Sequence, residues 1–486
     1  MAKITPISVQ PEMKIKFLRD EDLDLIHQAV VTILQEAGVK FPLKRALKIF
    51  AEAGARVDFD SHVVKIPPDL LMDTIAKAPR SFIKASRGAP DLDLVLDGKK
   101  TYIGTDGTGL ATVDLKTRRR RSSTKDDVAM MALISDYLDS VSFFWPVVSA
   151  RDVPSEVMAL HEIDASVRNT EKHIELVTCS NPKVARYAIE MVRVVAGGSR
   201  AMKERPVLSL CNAAISPLSH DEKGLEIPLA FAEAGIPVSS GTMPSVGSTA
   251  PASVAAALAL GAAEILSGVC LVQLAYPGTP VLYSYMPEML NPITGGCLAS
   301  AIQKPLLYAA GVQIGHYYGL PVRTYYGGTD TRTPGGWQTG KDNAIDAFSI
   351  CAAGPELLPS MGLLEAYTLC YPEKILLDDD IFQSVKMMMD GIRIDSASLC
   401  VDEILSVGPG EHFLDRDYTV KNIRELWHDG ISRQWSSQKN DFLDPQEAAV
   451  EKVQWILKNH RPKPLDEKVE KELKRIIDAA EKELVR

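Results

Sequence analysis

From about residue 140 onward the apolar positions alternate between two spacings. Short runs dense in β-branched and aromatic residues fall at 141 to 149, 173 to 179, 206 to 212, 237 to 243, 280 to 286, 321 to 327, 355 to 360 and 374 to 378, and they predict eight strands. Between most of them lie amphipathic or Ala-rich stretches with helical spacing, at 155 to 168, 183 to 196, 220 to 234, 251 to 274, 294 to 317 and 339 to 352. Three junctions share one signature: Gly235-Ile236-Pro237-Val238, Gly278-Thr279-Pro280-Val281 and Gly319-Leu320-Pro321-Val322. Glycine supplies a left-handed helix cap, and proline at the first residue of a strand ends the helix without removing an interior ladder bond. Strands and helices in alternation, joined by right-handed crossovers, predict parallel strands, and eight units predict a closed (β/α)8 TIM barrel over 141 to 400. An open doubly wound sheet is the alternative. Pro146, inside the first run, and the short unit between 360 and 374 fit the barrel least well.

The flanks read differently, which makes the whole an α/β protein with two additions. Residues 1 to 140 predict an α+β cap, with helices near 20 to 37 and 44 to 53, strand-like pieces at Val63 to Ile66 and Ser81 to Lys84, and turns through Gly104 to Gly109. The basic run Arg118 to Arg121 reads as a solvated face. Residues 401 to 486 predict a helical extension whose last two charged helices are separated by Arg461-Pro462-Lys463-Pro464.

Composition narrows the function. The 486 residues are 46% hydrophobic, ample for a core, and Lys plus Arg (54) against Asp plus Glu (63) leave a net charge of −9, which disfavours a general grip on nucleic acid. Seven cysteines without a CxxC, and an N-terminus without an apolar signal, predict a cytoplasmic protein. The most apolar stretch, Ala252 to Ala275, is broken by Glu264, Ser267 and Gln273 and predicts a buried helix and no membrane association.

Several common chemistries lack their residues. There is no HExxH and no zinc-type Cys/His spacing, so no dedicated metal site is expected. Gly335 to Lys341 has P-loop spacing, but Asp342 stands where a Ser or Thr should hold magnesium. Gly104 to Gly109 is GxxGxG and does not open a repeating unit, against a dinucleotide site.

In a (β/α)8 barrel the chemistry lies at the C-terminal strand ends. Reading those ends gives Trp145, Asn212, Met243, Tyr283, Tyr285, Glu288, Tyr326, Asp330, Arg332 and Trp337 as candidate substrate-binding residues, with Thr178, Met286, Tyr325, Gly327 and Glu365 at similar positions. Aromatic residues are 6% of the chain, yet they gather at the fifth and sixth strand ends. Tyr and Trp with Met and few cations suit a quaternary ammonium ligand, which has no N–H to donate and is held by ring faces. Glu288 and Asp330 add negative charge, and Arg332 is placed to pair with a carboxylate. No residue is singled out as catalytic.

The segments Ile215-Ser216-Pro217-Leu218 to Gly235-Ile236-Pro237, Met243 to Pro251, Ala263-Glu264-Ile265-Leu266 and Gln273 to Gly278 resemble the trimethylamine methyltransferase family. Asp114 to Asp127 and Gly362 to Asp380 are similar to it as well, so the resemblance spans roughly residues 20 to 400. It implies a (β/α)8 barrel that moves a methyl group from a methylated amine to the cobalt of a separate corrinoid protein. The cobalamin would then be carried by that partner and no cofactor bound permanently. Family members acting on trimethylamine carry pyrrolysine in the barrel, and this sequence has none. That absence resembles the branch acting on quaternary amines, with glycine betaine expected first and proline betaine, carnitine or butyrobetaine as competitors.

Displacement by Co(I) at a methyl on quaternary nitrogen releases a neutral tertiary amine, so neither a general acid nor a metal is needed. Catalysis is expected to be positioning and access. The alternatives are a betaine-binding or sensing protein on the same barrel, and a decarboxylase or lyase with an essential carboxylate at Glu288, Asp330 or Glu365. Homo-oligomerisation stays open.

Overall fold

The computed structural model describes residues 3–9, 13–179, 181–326, 328–426 and 430–485; Gly327, at one strand end read from the sequence, lies outside them. Eight parallel strands form the centre: β1 (Lys100–Thr105), β2 (Val141–Phe144), β3 (His173–Leu176), β4 (Leu208–Ala213), β5 (Val238–Thr242), β6 (Val281–Tyr285), β7 (Val322–Thr324) and β8 (Leu357–Met361). Pairing of β8 with β1, Leu357 opposite Tyr102, closes them into a barrel. Outside run α1 (Lys125–Tyr137), α2 (Met158–Asn169), α3 (Pro182–Ala196), α4 (Glu222–Glu233), α5 (Val254–Ala275), α6 (Lys304–Tyr317), α7 (Trp337–Ala353) and α8 (Lys374–Asp390).

Seven of the eight strands fall where the apolar runs predict them, and one does not. Residues 374 to 378 are the first turn of α8. A short apolar run such as Ile375-Leu376-Leu377 is compatible with a buried strand or a buried helix turn, and here Lys374 pairs with Asp378 one helical turn on. The strand that completes the barrel is β1, which the sequence reading placed in the cap. Its residues, Lys-Thr-Tyr-Ile-Gly-Thr, form no apolar run because Gly104 must be small: a Cβ there would lie 2.4 Å from the Phe143 ring. Pro146 causes no conflict, since β2 ends at Phe144. Residues 294 to 303 precede α6 as turns, not helix.

Ahead of β1, a hairpin of Phe82–Lys84 and Leu94–Leu96 sends Leu94 and Leu96 against Tyr102, Phe143, Leu282 and Leu357, near the strand starts. It thereby plugs the N-terminal end of the barrel. Helix α5 has the length and apolarity of a membrane span, but it is mostly buried within the protein, against the N-terminal helices and the barrel. Its Glu264 accepts from the Leu218 N–H at 2.8 Å and the Ser216 hydroxyl at 2.7 Å, which compensates its burial. At the C-terminus, α9 (Pro445–Asn459) and α10 (Glu467–Leu484) are not free charged rods. Ile456 and Val453 of α9, and Leu473, Ile476 and Ile477 of α10, are buried in the clusters beneath them.

Successive strand residues point to opposite faces, and this phase decides which side chains enter the barrel. Leu282 and Ser284 point inward, Leu282 among the residues of the plug and Ser284 toward Arg323. Tyr283 and Tyr285 therefore point outward, where Gly315 of α6 makes room for one, and Gly261 of α5 and Gly311 of α6 for the other.

Candidate active site

The inward phase, continued to the C-terminal strand ends, forms a cavity of about 190 Å³ lined by Asp106, Gly107, Thr108, Trp145, Val177, Cys211, Ala213, Met243, Met286, Glu288, Tyr325 and Tyr367. That is below the roughly 300–1,000 Å³ typical of drug-sized ligands, so it suits a small molecule. Trp145 and Tyr325 meet edge to face with centroids 5.6 Å apart. Gly107 lets the indole approach, because a Cβ there would fall 2.0 Å from it. Tyr367 reaches the cavity from a turn in which Glu365, Ala366 and Tyr367 all have positive φ (50°, 48° and 67°). Such backbone costs roughly 1–3 kcal/mol per residue and persists only where its surroundings hold it. Here the Glu365 N–H donates to Thr331 and the Ala366 N–H to Thr329, at 2.9 and 3.0 Å.

Beneath the cavity lies a charged floor that composition did not announce. Arg323 and Glu175 are fully buried inside the barrel, with Lys84 reaching them from the plug. The Arg323 Nε donates to Glu175 at 2.7 Å, and the Lys84 ammonium donates to the other oxygen at 3.2 Å. Burial pushes the Glu175 carboxyl up, but Arg323 and Lys84 outweigh it and hold the group below the usual range. Burial pulls the Lys84 ammonium below its ordinary value. The Arg323 guanidinium stacks over the Trp145 and Tyr325 rings, at 5.0 and 4.7 Å from their centroids, and donates to the Tyr325 hydroxyl at 3.1 Å. On the opposite wall the buried Lys304 donates to Glu288 and to the Tyr367 hydroxyl, both at 2.8 Å, and its ammonium sits 5.1 Å from the Tyr367 centroid. The expectation of few cations beside the rings is thus corrected: two protein cations already engage them.

Of the ten residues picked from the sequence, Trp145, Met243 and Glu288 line the cavity. Asn212 stands one residue out of phase between Cys211 and Ala213, and its amide donates to Gly224 of α4 at 2.9 Å. Tyr283 and Tyr285 are out of phase too, and fill the space between barrel and helices. The Tyr326 hydroxyl donates to Asp378 of α8 at 3.0 Å, away from the cavity. Asp330 accepts from the Ala299 and Ser300 N–H groups at 2.9 and 3.0 Å, fixing the loop before α6. Arg332 pairs with Glu365 at 2.6 Å, and Trp337 is 87% exposed at the start of α7. Neither lines the cavity.

The sequence reading missed Asp106, Cys211, Tyr367, Arg323, Glu175 and Lys304. Asp106 and Cys211 follow inward positions at intervals of two, but both faces of a barrel strand are buried, so the inward phase was not legible. Lys304 and Tyr367 carried no local signal. The basic run Arg118 to Arg121 is exposed, as expected, but three of its four side chains are also paired. Arg118 pairs with Glu373, Arg120 with Glu365 at 2.6 Å and Arg121 with Asp127 at 2.6 Å. The Arg120–Glu365 pair ties a hairpin (Ala111–Val113 and Arg120–Ser122) to the turn that presents Tyr367, the other two pairs tie it to the starts of α8 and α1, and the hairpin extends a small sheet beside the site.

The chain matches the family described as "Trimethylamine methyltransferase (MTTB)" over residues 1–485. It is 30% identical over 470 residues to trimethylamine methyltransferase MttB of Desulfitobacterium hafniense (strain DSM 10664 / DCB-2), covering 96% of this chain and 94% of that protein. It is 28% identical to the glycine betaine methyltransferase of D. hafniense (strain Y51), covering 97% and 98%. Among solved structures it is similar to the monomethylamine methyltransferase (MtmB) of Methanosarcina barkeri, at a TM-score of 0.48 and 12% identity, over 90% of this chain and 94% of that one. The chain is a methyltransferase-type (β/α)8 barrel and belongs to the trimethylamine methyltransferase family.

Proposed function

We propose that the protein takes a methyl group from a quaternary amine, glycine betaine first among them, and delivers it to the Co(I) of a separate corrinoid protein, releasing dimethylglycine. The observation that carries this reading is the small cavity at the C-terminal barrel end, bounded by Trp145, Tyr325 and Tyr367 and open past the half-exposed Met243. A trimethylammonium group has three methyls and no donor, so it is held by ring faces, sulfur and carboxylate charge and not by directional hydrogen bonds. In the family, the corrinoid supplies the nucleophile. This chain's residues bind and orient the amine, exclude water, and leave one methyl facing the opening.

Positioning of that kind is worth several kcal/mol of barrier without any residue exchanging a proton. Positive charge on nitrogen falls as the methyl departs, so a site that gripped the cation too strongly would stabilise the ground state over the transition state. Rings already polarised by Arg323 and Lys304 meet that condition. Their attraction for a further cation is softened. The test is spectral: the protein is mixed with a reduced corrinoid protein and one amine at a time while the Co(I) band is followed. Conversion to methyl-Co(III) with glycine betaine and not with trimethylamine is expected. Conversion with trimethylamine alone would overturn the quaternary amine reading.

A further inference from the structure

Resting on that reading, we propose that Asp106 is the counter-charge of the site, the group that makes it select a permanent cation over a neutral ligand of the same shape. The argument is one of elimination among charges around the cavity. Glu175 is held by Arg323 and Lys84, and Glu288 by Lys304. The ring faces of Trp145 and Tyr325 already carry Arg323, and that of Tyr367 carries Lys304.

Asp106, at the end of β1, is 4% exposed and lines the cavity. Among the described residues its carboxylate accepts one hydrogen bond, from the neighbouring Gly107 N–H at 2.8 Å, and forms no ion pair, the nearby cations being engaged by Glu288 and Glu175. Arg323 attracts it from below without contact, while Glu288 and Asp378 of α8 repel it, and the hydroxyls of Tyr325, Tyr326 and Tyr367 lie within its field. A buried carboxylate so placed is deficient in positive charge, and a trimethylammonium group supplies that charge without a hydrogen bond.

A titration signature follows. Burial pushes the Asp106 carboxyl up to about 7, so much of it is protonated near neutrality. A bound cation favours the ionised form, and binding below that pH must expel the proton. Glycine betaine should therefore bind about tenfold more weakly at pH 6 than at pH 8, releasing close to one proton per ligand at pH 6 and close to none at pH 8. Its carbon isostere, 3,3-dimethylbutanoate, keeps shape and carboxylate but lacks the cation. It should bind better as pH falls.

The experiment is calorimetry of both compounds against the full chain at the two pH values, in buffers of different ionisation heat. It is run on the wild type and on Asp106→Asn, whose amide oxygen can still accept from Gly107. The expected result is proton release in the wild type, a loss of tenfold or more in glycine betaine affinity at pH 8 in the variant, and a gain for the isostere. Should the variant not fold, as its thermal transition will report, the wild-type proton count decides alone. Glycine betaine that is demethylated yet binds with no proton release and no dependence on Asp106 overturns this assignment and leaves the proposed function standing. Failure of both binding and methyl transfer overturns both.

Discussion

At the scale of single residues, the site depends on one carboxylate serving two buried cations. Removing the charge of Glu175 leaves Lys84 and Arg323 uncompensated inside the barrel, a defect that typically costs about 3–5 kcal/mol. Glu175→Gln is expected to lower the unfolding free energy read from urea titration by that order, and a loss under about 1 kcal/mol would contradict the pairing described. Tyr285 makes the opposite case. Among the described residues its buried hydroxyl has no hydrogen-bond partner, so Tyr285→Phe removes a polar group and no interaction. Stability should stay equal or rise slightly, and methyl transfer should be unchanged; a tenfold fall in rate would return Tyr285 to the site. Arg332, 73% exposed on its side chain, pairs with Glu365 and does not line the cavity, so Arg332→Ala should move KM for the amine less than about twofold.

At the scale of elements, strand phase separates what the sequence made legible from what it did not. The three Gly-x-Pro junctions marked where helices end and strands begin, and the apolar runs together marked seven of the barrel strands. Both faces of a barrel strand are buried, so apolar alternation does not say which face looks inward. That is why Asn212, Tyr283, Tyr285 and Tyr326 were chosen while Cys211 and Ala213, with Met286 and Tyr325 that the strand-end reading did include, line the cavity. The outward placement of Tyr285 rests on glycines in two helices: a Cβ on Gly261 or Gly311 would fall 2.4 Å from its ring. Gly311→Ala is therefore expected to destabilise by about 1–3 kcal/mol through overpacking, read from denaturant unfolding. An unchanged midpoint would mean that the ring lies elsewhere.

At the scale of the molecule, three distant stretches build one pocket. The N-terminal hairpin contributes Lys84 from below, the loop after β1 contributes Asp106 and Gly107, and the turn after β8 contributes Tyr367. The overall repeat was readable because it recurs. The strand β1 was not, because its small and polar residues are set by neighbours such as Phe143 that are far away in sequence. Buried ion pairs across the barrel were unreadable for the same reason. Arg323 and Glu175 are 148 residues apart.

The central claim is that the methyl donor sits in this cavity while its methyl is taken. The most direct measurement compares the rate of methyl-Co(III) formation from glycine betaine by the wild type and by Ala213→Phe, whose added ring would occupy the cavity beside Trp145. Loss of transfer by two orders of magnitude or more, with an unchanged thermal transition, is the expected result. Transfer at the wild-type rate by the filled barrel would contradict the account.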